Sequence, residues 1–555
     1  MGLNDNTLNK QQSQKRILIA TLLSFAFFVA YDFLYLQPKQ EAVDLANKQN
    51  KQVEQQVVKQ NTIDSQTNQA PQLAQSAASP TATNQAPVST DTTASSVITT
   101  IKTTNSIIQI DNLGRIAQVT LTQSKYVEED GTQIKLFTPT QLRPLEVRFA
   151  DANINEEAFK VNVVASAKSL DATNSKVSLT LTQELASTTL TKQLTFYPEG
   201  KYDIKISTTN KKSFFVTPGF RPDVMVDMYA DHGAMLGLND GTLNIIEDED
   251  MDKGVELIGV NVTSAFDRYY TSLLYNYNTS MTVSVMKDMS NSPQVFIHAK
   301  DSIDLSGYAG PKEYNRLVSF DKRLSTVIEY GWFTFIAKPM FQLLQFIHNY
   351  VGNWGWTIVL ITILLKVVLL PLSYKGMVSM NRLKELAPKI KAVQEKYKDD
   401  KQKSSMHMME LYKKEGANPM GGCLPMLLQI PVFFAIYRVL LNAIELKGSE
   451  WILWIDDLGV MDPYFILPIL MGATMFLQQK ITPNTMTDPM QQKMFQLLPV
   501  IFTFFFLWFP AGLTLYWFMN NLFTISQQYY VNRIFKKAKV ERHEQHLDEK
   551  KHKKK

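Results

Sequence analysis

The sequence is poor in the residues that build covalent links and metal sites. It has 555 residues and one cysteine, Cys423, which excludes an internal disulfide and a cysteine-rich zinc site. Its seven histidines fall in no spacing typical of metal ligands. There is no Walker A sequence, no GxSxG motif and no GxGxxG motif after a strand. We therefore expect no metal, no cofactor and no enzymatic activity, and ATP-driven transport by this chain alone is improbable.

The chain also has little excess charge. It carries 57 Lys+Arg and 52 Asp+Glu, a net charge of +5, which is too small to indicate a DNA-binding protein. Hydrophobic residues make up 45% and charged residues 20%, values that also suit a large soluble protein. At roughly 150 residues per domain the length predicts three to four domains. The distribution of residues along the chain is therefore more informative than the average.

The first zone is an apolar run. Residues 17–36 form a stretch of about the twenty residues that span a bilayer, preceded by Lys15 and Arg16. The run lacks the short apolar core and the small-x-small exit of a cleavable signal peptide. We interpret 1–36 as an uncleaved signal-anchor helix with a cytoplasmic amino terminus. Residues 37–96 contain no aromatic residue, which predicts a disordered tether.

The second zone, 97–317, has a hydrophobic period of two. Val177, Leu179 and Leu181 alternate with polar residues, as do residues 117–122 and 281–285. Turn signals at Asp130-Gly131, Pro198-Glu199-Gly200 and Asp240-Gly241 separate such runs, with no long helical pattern between them. This pattern predicts an all-β antiparallel sandwich.

The third zone is helical and much more apolar. Residues 318–354 predict a linker and an amphipathic helix at the membrane interface, and 355–530 predict a core with five membrane-spanning helices. The five expected spans are Gly355–Leu372, Met420–Leu441, Tyr464–Gln479, Phe495–Phe509 and Ala511–Tyr530. With the anchor, the fold class is an α-helical polytopic membrane protein of six spans that also carries a β-sandwich.

Charge sets the expected topology. The segment 373–416 has eleven Lys and Arg against six acids and predicts a helical hairpin with a break at Asp399-Asp400. By the positive-inside rule this hairpin is cytoplasmic. The basic tail 531–555 then lies on the same side, and the sandwich lies outside, in the periplasm of a cell with two membranes. A basic hairpin fits two partners equally well, anionic lipid or a docking partner such as a ribosome.

Lys366 is the most informative single residue, because it stands alone in the first of the five spans. One interpretation is snorkelling, in which the side chain carries its charge to the interface. The other is a cation that faces a water-filled cavity. Thr362 lies one turn before it.

Two further features accompany Lys366. One face of the last span carries four polar residues, Tyr516, Asn520, Thr524 and Gln527. A fifth polar residue, Gln429, lies in the second of the five core spans. Such polar groups either form hydrogen bonds between packed helices or line a hydrated groove. The second and fourth of the five core spans have apolar side chains that can contact a hydrophobic guest helix, among them Ile430, Phe433, Ile501 and Phe505.

Several motifs carry a family resemblance. They are Gly352-Asn353-Trp354-Gly355-Trp356, Asn418-Pro419-Met420-Gly421-Gly422-Cys423-Leu424-Pro425, Asp462-Pro463-Tyr464-Phe465-Ile466-Leu467-Pro468, Thr487-Asp488-Pro489-Met490-Gln491-Gln492-Lys493 and Phe509-Pro510-Ala511-Gly512-Leu513. Together they resemble the YidC/Oxa/Alb3 family of membrane-protein insertases, in its Gram-negative form with a large periplasmic domain. The resemblance implies a five-helix core around a positively charged hydrophilic groove that is open to the cytoplasm and to lipid.

The resemblance also implies roles for single residues. The groove cation of the family is characteristically arginine and corresponds here to Lys366, which keeps the charge but lacks the fork that grips a carboxylate in two places. Thr362, Gln429 and Tyr516, with Asn520, are the implied polar lining. The implied guest-helix contacts are Ile430, Phe433, Ile501 and Phe505.

The implied function is insertion of nascent transmembrane segments into the bacterial inner membrane, alone or with the Sec translocon. Implied partners are nascent membrane proteins, the Sec translocon with its accessory subunits, the phospholipid bilayer, and the ribosome and signal recognition pathway through the hairpin and tail. Two alternatives stay open. A secondary transporter should show repeated halves, which are not evident, and a membrane-anchored carbohydrate-binding or carbohydrate-active protein should lose its function when the sandwich is deleted.

Overall fold

A computed structural model describes residues 96–552 except 129, 226–230, 252, 329, 331–332, 399, 416–423 and 483–488. The described residues outside 489–491 belong to one compact unit. The predicted signal anchor and tether lie outside the described residues.

Alternating burial forms the strands of the amino-terminal half. Within the described residues the strands are β1 (Val97–Lys102), β2 (Ser106–Asp111), β3 (Ile116–Leu121), β4 (Val147–Phe149), β5 (Val164–Ala165), β6 (Ser169–Asp171), β7 (Val177–Glu184), β8 (Thr189–Phe196), β9 (Tyr202–Thr208), β10 (Phe214–Val216), β11 (Gly233–Leu238), β12 (Leu243–Glu247), β13 (Val255–Phe266), β14 (Tyr270–Tyr275), β15 (Met281–Lys287), β16 (Pro293–Ala299) and β17 (Ser302–Pro311).

The strands form two sheets. The smaller has the order β3-β2-β1-β6. The larger has thirteen strands, of which eleven follow the path β4-β10-β16-β15-β13-β14-β17-β9-β8-β7-β5, while β11 pairs with β13 and β12 pairs with β11. One apolar core contains residues of both sheets. The pairs are antiparallel except that β1 runs parallel to β6, which departs from the purely antiparallel sandwich that the sequence predicts.

The sequence patterns correspond to these strands. Leu179 and Leu181 of β7 are buried, as alternation predicts, and so are Met281 and Val283 of β15. The three predicted turns are confirmed, because a glycine with positive φ occupies each of them at positions 131, 200 and 241. A positive φ is strained for residues with a Cβ, so glycine suits these turns.

Buried ion pairs join the two sheets. Asp111 at the end of β2 accepts from Arg143 at 2.7 Å, and Arg115 donates to Glu146, the residue before β4, at 3.0 Å. Buried charges are tolerated where they are paired in this way.

The carboxyl-terminal half is helical. The helices of the described residues are α1 (Ala152–Ala158), inserted between β4 and β5, then α2 (Tyr314–Phe320), α3 (Thr334–Val351), α4 (Trp354–Val368), α5 (Leu370–Lys396), α6 (Lys401–Lys414), α7 (Leu424–Asn442), α8 (Ile466–Ile481), α9 (Pro489–Phe506) and α10 (Ala511–His552), with short 3-10 helices at Lys322–Val327 and Ile444–Leu446.

The first predicted span of the core, Gly355–Leu372, is not one helix, and this expectation is corrected. Helix α4 ends at Val368 and α5 begins at Leu370, with a bend of 64° between them. Pro371 in the first turn of α5 explains the break, because proline has no N–H to donate and its ring clashes with the carbonyl four residues earlier. Over the described residues no single helix has the length and apolar character to cross a membrane, whereas this bent pair has both by length and composition. The six spans stay a prediction.

The predicted helical hairpin is formed by α5 and α6. Leu383, Leu386 and Ile390 of α5 pack with Met408 and Leu411 of α6. Asp400 is the amino-terminal cap of α6. Its side chain accepts a hydrogen bond from the backbone N–H of Lys403 at 3.0 Å.

Helix α3 has the amphipathic character that the sequence predicts. Ala337, Phe341 and Leu344 are buried, whereas Phe335 and Tyr350 are exposed. The exposed positions also include Gln342 and Asn349, so aromatic and polar side chains share the exposed side. A position at the membrane interface stays a prediction. The helix ends at Gly352, which has the left-handed conformation common after a helix.

The sheet domain contacts the end of α7 directly. The guanidinium of Arg268, in the turn between β13 and β14, donates from Nε (2.9 Å) and Nη2 (2.7 Å) to the backbone carbonyl of Leu441. Nearby, the half-buried Glu445 accepts from the backbone N–H of Tyr314 at the start of α2, at 3.0 Å. These contacts fix the carboxyl end of α7 against the sheet domain.

Candidate functional site

Four polar side chains connect three apolar helices. Lys366 of α4 donates from Nζ to the hydroxyl of Thr524 on α10 at 2.8 Å. One turn earlier on α10, Asn520 accepts from Nε2 of Gln429 on α7 at 2.9 Å. We name Lys366, Thr524, Asn520 and Gln429 the polar brace. The structure thus brings together three of the five predicted groove residues and adds Thr524.

The hydrogen bond between Lys366 and Thr524 can have only one direction. The Thr524 hydroxyl donates its single proton to the backbone carbonyl of Asn520 at 2.7 Å. Its oxygen is then left to act as an acceptor, which suits an ammonium that can only donate. Lys366 is only 8% exposed, and the described residues give it no ion pair. The cation is therefore held by a neutral oxygen and remains electrostatically uncompensated.

Thr362 and Tyr516, the other predicted lining residues, lie in the packed interior. Thr362 is buried and donates its hydroxyl proton to the carbonyl of Ile358 at 2.7 Å, within its own helix. Tyr516 is buried in the apolar cluster that joins the helices to one face of the large sheet. Neither is hydrogen-bonded to the brace, so a lining role stays a prediction for both.

The predicted guest-helix contacts divide into two pairs. Ile430 on α7 is 43% exposed and Phe505 on α9 is 42% exposed. Phe433 and Ile501 are half-buried instead. Exposed apolar side chains suit contact with lipid or with an apolar guest, so Ile430 and Phe505 fit the predicted role best.

Trp517 connects the two helices that carry these residues. Its ring lies 5.0 Å from that of Phe433 on α7 and 5.9 Å and 5.6 Å from those of Phe502 and Phe506 on α9. Sequence reasoning missed it. Its position beside Tyr516 in an apolar helix was the available signal, but only the packing shows that it holds α7 and α9 together.

A second polar cluster lies further along α10. Oδ1 of Asn532 accepts from Asn381 of α5 at 2.9 Å and from Gln528 at 2.8 Å, and its Nδ2 donates to the carbonyl of Ile481 at the end of α8 at 3.2 Å. We name Asn381, Gln528 and Asn532 the amide node. It fixes the base of the hairpin helix α5 to α8 and α10.

One acid outside the predicted spans is strongly perturbed. Burial raises the pKa of Glu445 to about 7, against the opposing effect of the Tyr314 N–H that it accepts. Over the described residues no group of three or more His, Cys, Asp and Glu side chains could hold a metal ion. The chemistry of the site is that of one buried cation, several amides and hydroxyls, and exposed apolar side chains.

Comparisons with known proteins identify the class of this chain. A family model described as 60Kd inner membrane protein matches residues 346–539, and one described as YidC periplasmic domain matches residues 261–343. These matches define the class as inner-membrane proteins with a β-sandwich periplasmic domain and a helical carboxyl-terminal region.

Relatives cover nearly the whole chain. Membrane protein insertase YidC of Campylobacter jejuni is 49% identical over 96% of this chain and 98% of its own. The proteins of the same name are 47% identical in Wolinella succinogenes, over 96% of this chain and 97% of theirs, and 42% identical in Helicobacter pylori, over 96% and 98%. This chain belongs to the YidC family of membrane protein insertases.

Proposed function

We propose that this chain inserts nascent transmembrane segments into the bacterial inner membrane. The observation that carries the proposal is the polar brace, in which the buried cation of Lys366 and the amides of Gln429 and Asn520 lie between apolar helices. Family membership agrees with it. Moving a polar segment through hydrocarbon without hydrogen-bonding partners has a cost of several kcal/mol per group, and polar groups within the helices reduce that cost.

In the proposed mechanism the polar segment of a substrate enters a hydrophilic groove from the cytoplasm. Lys366 attracts its acidic residues, and Gln429 and Asn520, with Thr362 and Tyr516, solvate its backbone. The apolar segment moves along α7 and α9 past Ile430, Phe433, Ile501 and Phe505 into lipid. Burial of the segment in the bilayer supplies the free energy, about 25 cal/mol per Å² of apolar surface, so no nucleotide is required.

The proposal includes the membrane topology. Six spans, with 1–36 as the anchor and five in 355–530, would put both termini and the hairpin 373–416 in the cytoplasm and residues 97–317 in the periplasm. The excess of lysine in the hairpin and tail supports this orientation. Labelling of single cysteines introduced at exposed positions 291 and 406, in a Cys423→Ala background, by a membrane-impermeant reagent on intact cells tests it. Labelling at 406 without labelling at 291 would refute the orientation.

The partners follow from this placement. Nascent membrane proteins are the substrates, and the Sec translocon with its accessory subunits is a further partner. The basic hairpin and tail contact the ribosome and the signal recognition pathway. Lys389, Lys391, Lys396 and Lys398 lie along α5 and the residues that follow it, and clustered lysines attract RNA phosphates. Co-sedimentation of the full chain with ribosomes at increasing salt tests the ribosome contact.

The role of Lys366 has a direct test. Lys366→Ala and Lys366→Glu are compared with Lys366→Arg in cells depleted of the native protein, with small single-span and two-span substrates whose translocated segment is acidic. We expect the arginine variant to insert them, the alanine variant to be slow and the glutamate variant to be slowest. Normal insertion by both the alanine and the glutamate variants would refute the cation's role.

A further inference from the structure

A cleft separates α5 from α10 between two polar bridges. The Lys366–Thr524 hydrogen bond joins α4 to α10 above it, and the Asn381–Asn532 hydrogen bond joins α5 to α10 below it. Lys366 and Asn381 are fifteen positions apart in the chain, whereas Thr524 and Asn532 are only eight positions apart on α10. The longer segment contains the 64° bend between α4 and α5. The helices therefore diverge between the bridges and leave a cavity of about 460 Å³.

The walls of this lateral cleft are mainly apolar. Leu370, Tyr374 and Met377 line it from α5, and Tyr530 and Val531 line it from α10. The volume lies within the roughly 300–1,000 Å³ that small-molecule sites occupy. Such a cavity suits a hydrocarbon chain.

One polar group in the cleft has no partner. Oε1 of Gln527 is buried, and no described residue donates to it. A buried amide oxygen without a donor is energetically unfavourable. The amide nitrogen of the same side chain can donate to an ester oxygen of a ligand.

Three cations flank the lining residues along α5 and α10, and we call them the rim of the cleft. Lys375 lies one turn after Pro371 of the lining, and Arg533 and Lys537 continue the face of Tyr530 along α10. All three are exposed. No acidic residue occurs in 370–384 or 511–540, so no carboxylate in these two segments neutralises the rim.

We infer that the lateral cleft binds one anionic glycerophospholipid of the cytoplasmic leaflet. Its phosphate contacts Lys375, Arg533 and Lys537. Its glycerol ester groups lie beside Tyr530 within reach of the Gln527 amide nitrogen, and its acyl chain fills the cavity from Met377 to Leu370. Basic pockets between helices on the cytoplasmic side are suited to acidic headgroups. The inference rests on the membrane placement given under the proposed function.

Native mass spectrometry of the full chain in detergent tests it, with phosphatidylglycerol, phosphatidylcholine and inorganic phosphate as separate probes. We expect a retained phosphatidylglycerol adduct, weaker phosphatidylcholine binding and no displacement by inorganic phosphate. At about 1 kcal/mol for each cation near an acidic headgroup, Arg533→Gln should weaken binding about fivefold and Arg533→Gln with Lys537→Gln about thirtyfold. Lys413→Gln, an equal loss of charge at an exposed lysine of α6, should change binding less than twofold.

The cavity itself is tested by filling it. Ser526→Trp places an indole in the cleft and should abolish the adduct, whereas Tyr529→Trp, an exposed position of α10 outside the lining, should preserve it. A second test does not require a bulky substitution that fills the cleft. A photoreactive benzoylphenylalanine at position 377 should crosslink to the acyl chain in membranes.

Equal binding of both lipids with no effect of Ser526→Trp would overturn the inference. So would displacement by inorganic phosphate alone, which indicates an anion site without a chain, or crosslinking of position 377 to a nascent polypeptide instead of lipid. The lipid measurements contain no substrate protein, so their failure is distinguishable from a failure of the insertion test at Lys366.

Discussion

The ammonium of Lys366 lies 2.8 Å from the hydroxyl oxygen of Thr524, whose own proton is donated to the carbonyl of Asn520. The threonine therefore acts as an acceptor towards the lysine. A lysine needs one well-placed acceptor, whereas an arginine presents five donors in a rigid fork. This pair is a simple way to hold a single buried lysine.

Replacing Thr524 should expose the dependence of Lys366 on that acceptor. Thr524→Val keeps the shape of the side chain but leaves the buried ammonium without its hydroxyl, and we expect a loss of about 1–3 kcal/mol in stability. Thermal unfolding in detergent measures the loss. Thr524→Ser retains the hydroxyl and should stay close to the native protein; equal melting temperatures for the valine and native proteins would contradict the expectation.

The amide node should control the base of the hairpin. Asn532→Leu removes three hydrogen bonds and leaves the buried amides of Asn381 and Gln528 without their acceptor. At about 1 kcal/mol net for each bond we expect a loss of about 3 kcal/mol, with faster amide hydrogen exchange in residues 377–384.

A double-mutant cycle distinguishes the node from simple loss of packing. Asn381→Leu combined with Asn532→Leu should destabilise the protein by less than the sum of the single variants, because the double variant leaves no amide of the pair unpaired. Asn532→Asp keeps the acceptors but loses the donor to Ile481, so its effect should be intermediate. Strict additivity would show that the two residues do not act together.

Local patterns predicted much of the fold. Alternation in β7 and β15, glycine at the turns and the polar break before α6 are properties of short segments, and the structure has strands, turns and a hairpin there. Hydrophobicity predicted the helical core, and the lone charge within an apolar span drew attention to Lys366. What these patterns have in common is that each depends on a residue and its close neighbours in sequence.

The contacts that the sequence did not predict join residues far apart in the chain. The hydrogen bond from Lys366 to Thr524 spans 158 positions, and that from Asn381 to Asn532 spans 151. Periodicity placed Thr524 on a polar face but could not state its partner, which depends on how α4 and α10 are rotated against each other. The break at Leu369 was missed because the apolar run continues across Pro371 without interruption.

Arg268 should stabilise the last turn of α7. It donates twice to the carbonyl of Leu441, and a cation near a helix carboxyl terminus also interacts favourably with the helix dipole. We expect Arg268→Met to lower stability by about 1.5–3 kcal/mol, the range for hydrogen bonds to charged groups, and to speed hydrogen exchange at residues 438–442. The stability of Arg268→Lys should lie between that of the native protein and that of Arg268→Met.

Arg323, an arginine on the surface, serves as the control for Arg268. The side chain of Arg323 is 57% exposed and pairs with Asp321, so Arg323→Met should change stability by no more than about 0.5 kcal/mol and leave the exchange of α7 unaltered. Unchanged exchange at 438–442 in Arg268→Met would mean that the sheet domain does not hold this helix end.

Glu445 should make the stability of the junction depend on pH. Burial raises its pKa in the folded protein to about 7, above the value of about 4.3 expected in the unfolded chain. Between these two values the folded state binds a proton that the unfolded state has lost, so the free energy of unfolding falls as pH rises from about 4.3 to 7 and levels off above 7. The contribution is therefore largest at low pH and is lost as Glu445 ionises.

Melting temperatures at pH 5 and pH 8 measure this effect. Glu445→Gln keeps an oxygen that can accept from the Tyr314 N–H but does not ionise, so it should melt at a higher temperature than the native protein at pH 8 and close to it at pH 5. The difference at pH 8 should be on the order of a few kcal/mol. Asp267, whose pKa burial raises to about 6, is unchanged in both proteins and cancels in the comparison. An identical pH dependence for the two proteins would show that Glu445 is not the group that titrates.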